Sequence, residues 1–191
     1  AATEKGLVVN YPKATYLNPT DEVTRAEVAA TVYQALVSQG KLPALTSTSK
    51  ATSYIVKYDA KGQSTTSSTT TSSTTNTTPS TTNTTSLQDV ADTYWAKPFI
   101  ERLVKDNIID GYSDGTFKPE QSVTRGEFSV ILEKAFSEDP VRKSRAFSDV
   151  PANHPAAAAI GKAYTTGFVS GYSDNTFRPD LKLTKAQTLV Y

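Results

Sequence analysis

Residues 111–119 read GYSDGTFKP, and residues 171–179 read GYSDNTFRP. The two stretches lie 60 positions apart and agree at seven of nine positions. The agreement continues without a gap on both sides, from an Asp-Val pair at 89–90 to a TRGE tetrapeptide at 124–127. Self-similarity at one fixed offset indicates a repeat protein, in which each copy is a supersecondary unit that buries its apolar face against its neighbours.

A third copy is found at the start of the chain, where TRAE at 24–27 follows Pro19 at the same spacing as in the other copies. Only its back half is present, and the last copy ends within its second helix. We therefore expect four segments, namely a partial repeat with a C-terminal extension at 1–58, a flexible linker at 59–86, a complete repeat at 87–146 and a truncated repeat at 147–191.

Each unit is expected to consist of a helix, a loop and a second helix. In the middle copy, apolar residues at helical spacing predict a first helix over 95–106 and a second helix from Thr124. Between them, the Asp-Gly pair at 114–115 and the Asp-Asn pair at 174–175 predict turns with positive φ, followed by a short extended segment. The expected fold class is therefore mainly α, with short extended loop segments.

The linker has a composition of its own. From Ser64 to Ser86, 20 of 23 residues are Ser or Thr. Such a segment cannot bury enough apolar surface to offset the entropy of ordering the chain. We predict that it is disordered and either a plain flexible linker or a glycosylated stalk.

Composition excludes several classes of function. Twenty basic and nineteen acidic residues give a net charge of +1, so no global field attracts nucleic acid or an anionic membrane. The absence of Cys and the single His exclude thiolate chemistry and histidine-cluster metal sites. No apolar run approaches the roughly 18 residues of a membrane span. We expect no cofactor, no metal site and no catalytic residues, so the sequence is not that of an enzyme.

The start of each second helix has the form of a capping box, in which a Thr and a Glu or Gln three residues later bond to each other's backbone N–H groups. This predicts a structural role for Thr24, Glu27, Thr124, Glu127, Thr184 and Gln187. Trp95, near the start of a first helix, is expected to be a core residue.

A cation follows the capping Thr in every copy, at Arg25, Arg125 and Lys185. The helix dipole disfavours a cation in the first turn, so its recurrence suggests a ligand. Unpaired N–H groups at a helix start, together with a guanidinium, favour a carboxylate or phosphate. Replacing Arg125 is then expected to weaken binding with little effect on the fold. The alternative is a solvated cation or one paired with a neighbouring acid.

The Gly-Tyr-x-Asp loop should lie near that helix start. Tyr11, Tyr112 and Tyr172 either stack on a sugar ring or cover the core. Asp114 and Asp174 belong to the same loop and are candidate ligand groups with them.

These motifs resemble the S-layer homology family, whose repeats run Phe-x-Asp-Val, Trp-Ala, Gly-Tyr-x-Asp-Gly-Thr-Phe-x-Pro and Thr-Arg-Ala-Glu. The resemblance implies three repeats in a pseudo-threefold helical prism, whose grooves hold a cell-wall polysaccharide that typically bears a pyruvate ketal. It implies that Arg25 and Arg125 meet the ketal carboxylate, and Lys185 less well, because Lys replaces a fork of donors with a point charge.

Finer features are similar to cyanobacterial members of that family, such as LVVNYP at 7–12 and VYQALV at 32–37. In those members the copy found here at the start of the chain usually closes the triplet. The resemblance therefore implies either a rearranged triplet or a chain that straddles two successive triplets.

The resulting interpretation is a non-catalytic module of the extracytoplasmic bacterial cell envelope that binds an anionic cell-wall polysaccharide. Neither nucleic acid nor a membrane span is expected. The alternative is a structural surface-layer protein whose repeats associate between chains.

The incomplete copies favour contacts of that kind. With its first helix absent, the first copy should lack the in-repeat partner for one apolar face of its second helix, at Val28, Val32, Ala35 and Leu36. The chain is then expected either to fold this copy back beside the last one or to exchange half-repeats with another chain.

Overall fold

The structure is a computed structural model that describes residues 8–9, 11, 18–46, 49–55 and 87–189. These residues are mainly helical, as predicted. The helices are α1 (Arg25–Ser38), α2 (Lys97–Lys105), α3 (Arg125–Ala135), α4 (Ala157–Thr165) and α5 (Lys185–Thr188), and a 3₁₀ helix spans Lys50–Tyr54. The predicted linker at 59–86 lies outside the described residues. Within the described ranges, no helix is long and apolar enough to cross a membrane.

The ends of the helices follow from local sequence. Pro98 lies in the first turn of α2, where a missing N–H is tolerated. Asn107 follows the end of α2 with a φ of 55°, a left-handed conformation that Asn adopts more readily than most residues. The turns predicted from Asp-Gly and Asp-Asn are present, because Gly115 has a φ of 81° and Asn175 a φ of 65°.

The helices pack across copies rather than within them. α1 packs against α2 and α3 packs against α4, so the second helix of one copy pairs with the first helix of the next. The α1 face, which has no first helix of its own copy to cover it, is covered by α2 of the next copy. Val28 and Leu36 on that face are 0% and 2% exposed, because the chain that follows α1 supplies the partner that the same repeat does not.

Three extended segments form a closed ring, and each leads into a second helix. They are 22–24, 122–124 and 182–184, and isolated antiparallel bridges join each segment to both others. The N–H of Val23 donates to the carbonyl of Leu183 at 2.9 Å, that of Leu183 to Val123 at 2.9 Å, and that of Val123 to Val23 at 3.1 Å. All three side chains are buried. Each copy therefore needs the other two to satisfy buried backbone groups.

The loop between the two helices of a copy is held by an aromatic side chain. Phe117 in the middle copy and Phe177 in the last copy are both fully buried. They belong to the same hydrophobic core as Phe99 and Ile160, which come from α2 and α4. The loops are thus fixed to the core that the helices share, close to the helix starts.

Candidate functional site at the junctions between repeats

The N-terminus of each second helix meets the loop of another copy. In α3, the N–H of Arg125 donates to the carbonyl of Leu181 at 2.9 Å, and the N–H of Gly126 donates to that of Pro179 at 2.8 Å. α1 and α5 make the equivalent bonds to the loops of the middle and first copies, at 2.8–3.0 Å. The third amide of each helix is taken by the capping Thr.

The premise that these N–H groups are unpaired and can hold an anion is therefore wrong. The ring of extended segments brings the carbonyls of a neighbouring loop to each helix start, and these carbonyls occupy the amides first. A ligand at the junctions must be recognised by side chains instead.

Arg25 and Arg125 are buried at these junctions, each 6% exposed. Nε of Arg125 donates to the carbonyl of Phe177 at 2.8 Å, and Nη2 donates to that of Ser170 at 2.7 Å. Arg25 makes the same pair of bonds to Phe117 and Asp110, at 2.8 and 2.6 Å. The same geometry in both copies joins the second helix of one copy to the loop of the next.

One nitrogen of each guanidinium remains. Within the described part of the chain, the hydrogen bonds of Arg25 and Arg125 are made by Nε and Nη2, and none is made by Nη1. Two of the five N–H donors of each guanidinium therefore serve the protein itself, and the remaining donors, both of Nη1 and one of Nη2, can serve a ligand.

The third junction is built from different residues. Nζ of Lys185 lies 3.4 Å from Oε2 of Glu27, and both side chains are almost buried, with 13% and 12% exposed. Burial raises the pKa of the Glu27 carboxyl, although the Lys185 ammonium acts in the opposite direction. Here an ion pair stands where the other junctions have an arginine.

The capping boxes at the helix starts also differ, because Glu27 contacts Lys185. In α3, Oγ1 of Thr124 accepts from the N–H of Glu127 at 3.2 Å, and Oε2 of Glu127 accepts from the N–H of Thr124 at 2.9 Å. Thr184 and Gln187 form the same reciprocal pair at α5. At α1 only the first bond is formed, from the N–H of Glu27 to Thr24 at 3.2 Å. The Glu27 carboxylate contacts the Thr24 hydroxyl and Lys185 instead.

Two cations lie over each of the loop tyrosines Tyr112 and Tyr172. The ring centroid of Tyr112 is 5.0 Å from Cζ of Arg25 and 4.0 Å from Nζ of Lys118. The centroid of Tyr172 is 5.1 Å from Cζ of Arg125 and 3.9 Å from Cζ of Arg178. The distances from Lys118 to the Tyr112 ring and from Arg178 to the Tyr172 ring are both within the range of a cation–π interaction.

Sequence reasoning selected the tyrosines and the helix-start arginines but missed Lys118 and Arg178. The signal was present, because both copies carry a basic residue directly after the loop Phe, at equivalent positions. Only the structure shows that this residue reaches back over the tyrosine.

Asp114 and Asp174 hold the turn that precedes these cations. Oδ1 of Asp174 accepts from the N–H of Thr176 at 3.0 Å and from its hydroxyl at 2.6 Å, and Oδ2 lies 3.0 Å from Nη2 of Arg178. The Thr176 bonds, aided by Arg178, lower the pKa of Asp174 to about 2. Asp114 makes the same bonds to Thr116, and they lower its pKa as well.

A second carboxylate holds the backbone of the cations themselves. Asp149 accepts from the N–H groups of Phe177 and Arg178, at 2.8 and 2.7 Å. Asp89 does the same for Phe117 and Lys118. The Asp-Val pair that opens each full copy thus reaches across about 28 residues to fix the loop, which spacing alone did not reveal.

Tyr11 has an aromatic setting in place of a charged one. Its ring is 5.2 Å from that of Trp95 with an interplanar angle of 4°, and 5.0 Å from the ring of Tyr54. Trp95 is 7% exposed, whereas Tyr11 is 45% exposed. Trp95 thus packs in the core, and Tyr11 covers it with one face towards solvent.

The chain is thus a repeat protein, in which helix-loop-helix copies are joined by an arginine that binds backbone carbonyls. Comparison with protein families shows which kind of repeat this is. The S-layer homology domain matches residues 87–129 and 146–189. These two segments are therefore repeats of the S-layer homology family. Both matches run from the Asp-Val segment ahead of the first helix into the second helix. Each match includes a loop tyrosine, the basic residue after the loop Phe and the basic residue at the start of the second helix.

Similar proteins are found among cell-surface proteins. Cell surface glycoprotein 1 of Acetivibrio thermocellus is 33% identical over 53% of this chain and 5% of its own length. The cellulosome-anchoring protein of the same organism is 31% identical over 55% of this chain and 24% of its length. The outer membrane protein SlpA of Deinococcus radiodurans is 47% identical over 25% of this chain and 4% of its length. The chain thus spans about a quarter or less of these relatives.

The family and these cell-surface relatives place the chain in the extracytoplasmic cell envelope. In the described residues, no group of three or more His, Cys, Asp or Glu could hold a metal ion. The single histidine, His154, uses Nδ1 to accept from the N–H of Ala156 at 3.1 Å, a local contact at the start of α4.

Proposed function

We propose that this chain is a non-catalytic anchoring module that binds an anionic cell-wall polysaccharide. One observation carries the proposal. At two junctions between repeats, a buried guanidinium and a second, exposed cation meet at one tyrosine ring, with distances that agree within 0.1 Å between copies. A relative named as a cellulosome-anchoring protein supports the anchoring role.

We further propose that the three copies form a pseudo-threefold prism. The cyclic hydrogen bonds between Val23, Val123 and Leu183 support this arrangement, because they relate the copies in a closed order. In this arrangement the first copy lies beside the last one within a single chain. The resemblance to cyanobacterial members and the rearranged order of the triplet stay predictions.

The grooves of this prism are the junctions described above. We assign to them Arg25, Tyr112 and Asp114 in one groove, Arg125, Tyr172 and Asp174 in the second, and Lys185 and Tyr11 in the third. The ligand group is a carboxylate, such as that of a pyruvate ketal, since a guanidinium nitrogen donates well to a carboxylate oxygen. The third groove is expected to bind less tightly, because Lys185 is already paired with Glu27.

Sedimentation with purified cell-wall sacculi tests the proposal. Sacculi from the producing organism are compared with the same sacculi after carbodiimide-mediated amidation of their carboxylates. We expect the chain to sediment with native sacculi and to remain in solution with amidated ones. Equal binding to both preparations would exclude a carboxylate ligand, and no binding to either would exclude the anchoring role.

The alternative function, a structural surface-layer protein whose repeats associate between chains, predicts a different result. Such a chain would form oligomers whose size depends on concentration, and it would not need sacculi to assemble. Light scattering after size exclusion, performed without cell-wall material, separates the two functions.

A further inference from the structure

We infer that Lys118 and Arg178 are the cations that contact the polymer carboxylate directly, and that Arg25 and Arg125 are positioning residues behind them. This inference rests on the proposed function and names the residues that decide its specificity. None of the sequence motifs discussed above assigns a role to these two positions.

The first argument is access. Arg25 and Arg125 are 6% exposed and give two of their three nitrogens to backbone carbonyls. The side chains of Lys118 and Arg178 are 43% and 48% exposed at the same tyrosine rings. A carboxylate carried on a bulky polysaccharide therefore reaches the outer cation before it reaches the buried one.

The second argument is the backbone. Lys118 has a φ of 55° and Arg178 a φ of 59°. This left-handed conformation is unfavourable for residues with a Cβ and would suit Gly better. A turn that needed only the backbone would place Gly here, as the preceding turn does at Gly115. Both copies instead carry a long basic side chain, held in place by two N–H bonds to Asp89 or Asp149.

The third argument is that the cations are placed but keep donors for a ligand. Tyr112 and Tyr172 fix their position from below, at 4.0 and 3.9 Å. Each cation also has a carboxylate beside it. Nζ of Lys118 lies 3.8 Å from Oδ2 of Asp114, and Nη2 of Arg178 lies 3.0 Å from Oδ2 of Asp174. Each acid occupies only one of the several N–H donors, and pairs this exposed are readily exchanged for another anion.

The test uses the full chain and three double variants. K118Q/R178Q removes both charges, K118R/R178K keeps them, and K105Q/K143Q removes two exposed charges away from the junctions as a matched control. Binding isotherms are measured on native sacculi and on amidated sacculi. We expect K118Q/R178Q to weaken binding to native sacculi about tenfold or more, as for the loss of charge-assisted hydrogen bonds. The control and K118R/R178K should stay within about threefold of the parent.

A further variant, K118G/R178G, separates binding from folding. It removes the cations while relieving the left-handed backbone, so it should melt at or above the parent temperature and still lose binding. If K118Q/R178Q or K118G/R178G binds native sacculi as tightly as the control does, the inference is overturned while carboxylate-dependent binding of the parent stands. If the parent itself binds native and amidated sacculi equally, both the inference and the carboxylate ligand fail.

Discussion

Replacing Arg125 with Ala should destabilise the fold. The guanidinium is buried and makes two hydrogen bonds to carbonyls of the last copy, at 2.8 and 2.7 Å, of which the first is fully buried. Hydrogen bonds to charged groups each contribute about 1.5–3 kcal/mol. The loss of both, reduced because the second is partly exposed, lowers the free energy of unfolding by about 3–5 kcal/mol. This geometry reverses the sequence-based expectation that the fold would be little affected.

Urea unfolding followed by tryptophan fluorescence measures the effect, because Trp95 is the only Trp in the chain and is buried. Arg125→Lys keeps the charge but replaces the forked donors with a single ammonium, so its free energy of unfolding should lie between those of the parent and Arg125→Ala. Lys105→Ala, an exposed cation on α2, serves as the control and should change the free energy by less than about 0.5 kcal/mol. If Arg125→Ala unfolds at the parent urea concentration yet loses sacculus binding, the guanidinium is a ligand group and not a tie between copies.

Four further predictions follow from the described contacts. Asp149→Ala leaves two loop N–H groups without their acceptor and should lower the free energy of unfolding by about 2–3 kcal/mol, measured in urea. Thr124→Ala removes a helix cap and should lower it by about 1 kcal/mol with no change in sacculus affinity once folded; a loss of affinity at unchanged stability would assign Thr124 to the ligand. Because the pKa of Asp174 is lowered to about 2, its contribution to stability is present above about pH 4 and is lost as the pH falls towards 2; Asp174→Asn should lack this part of the acid dependence, and an unchanged profile would contradict the assignment. Deleting residues 1–58 removes one segment of the hydrogen-bonded ring, so the remaining 59–191 should lose cooperative unfolding, whereas an unchanged melting curve would show that two copies suffice.

The bonds that close the ring also bear on the oligomeric state. One chain supplies all three extended segments, so back-folding requires no second chain. We expect a monomer by light scattering at tens of micromolar, and a dimer that dissociates on dilution would instead indicate exchange of half-repeats. This expectation is independent of any ligand.

Much of the local structure could be predicted from the sequence. The helix starts, the capping Thr residues and the positive-φ turns depend on interactions between residues a few positions apart. The second helix starts at Arg125 with Thr124 as its cap, as expected, and the turn has its positive φ at Gly115. The repeat itself was readable because the same local signals recur at a fixed offset.

The partners of these elements could not be predicted in the same way. Sequence reasoning paired the two helices of a copy, because they are adjacent in the repeat, whereas the structure pairs α1 with α2 and α3 with α4. A hydrophobic face specifies that it must be buried, but it does not specify which face covers it. The ring between 22–24, 122–124 and 182–184 determines which helices meet, because it fixes the order of the copies. It does so through backbone hydrogen bonds, which carry little information about side-chain identity.

The candidate site shows the same division. The sequence determined which residues recur, namely the helix-start Arg125, the loop Tyr172 and the basic Arg178. Only the tertiary structure decided that Arg125 donates hydrogen bonds to carbonyls of another copy and that Arg178 lies exposed over the tyrosine. The physical reason is distance along the chain. A guanidinium binds any well-placed oxygen, and whether that oxygen is a carbonyl 45 residues away or a ligand depends on how the copies close around it.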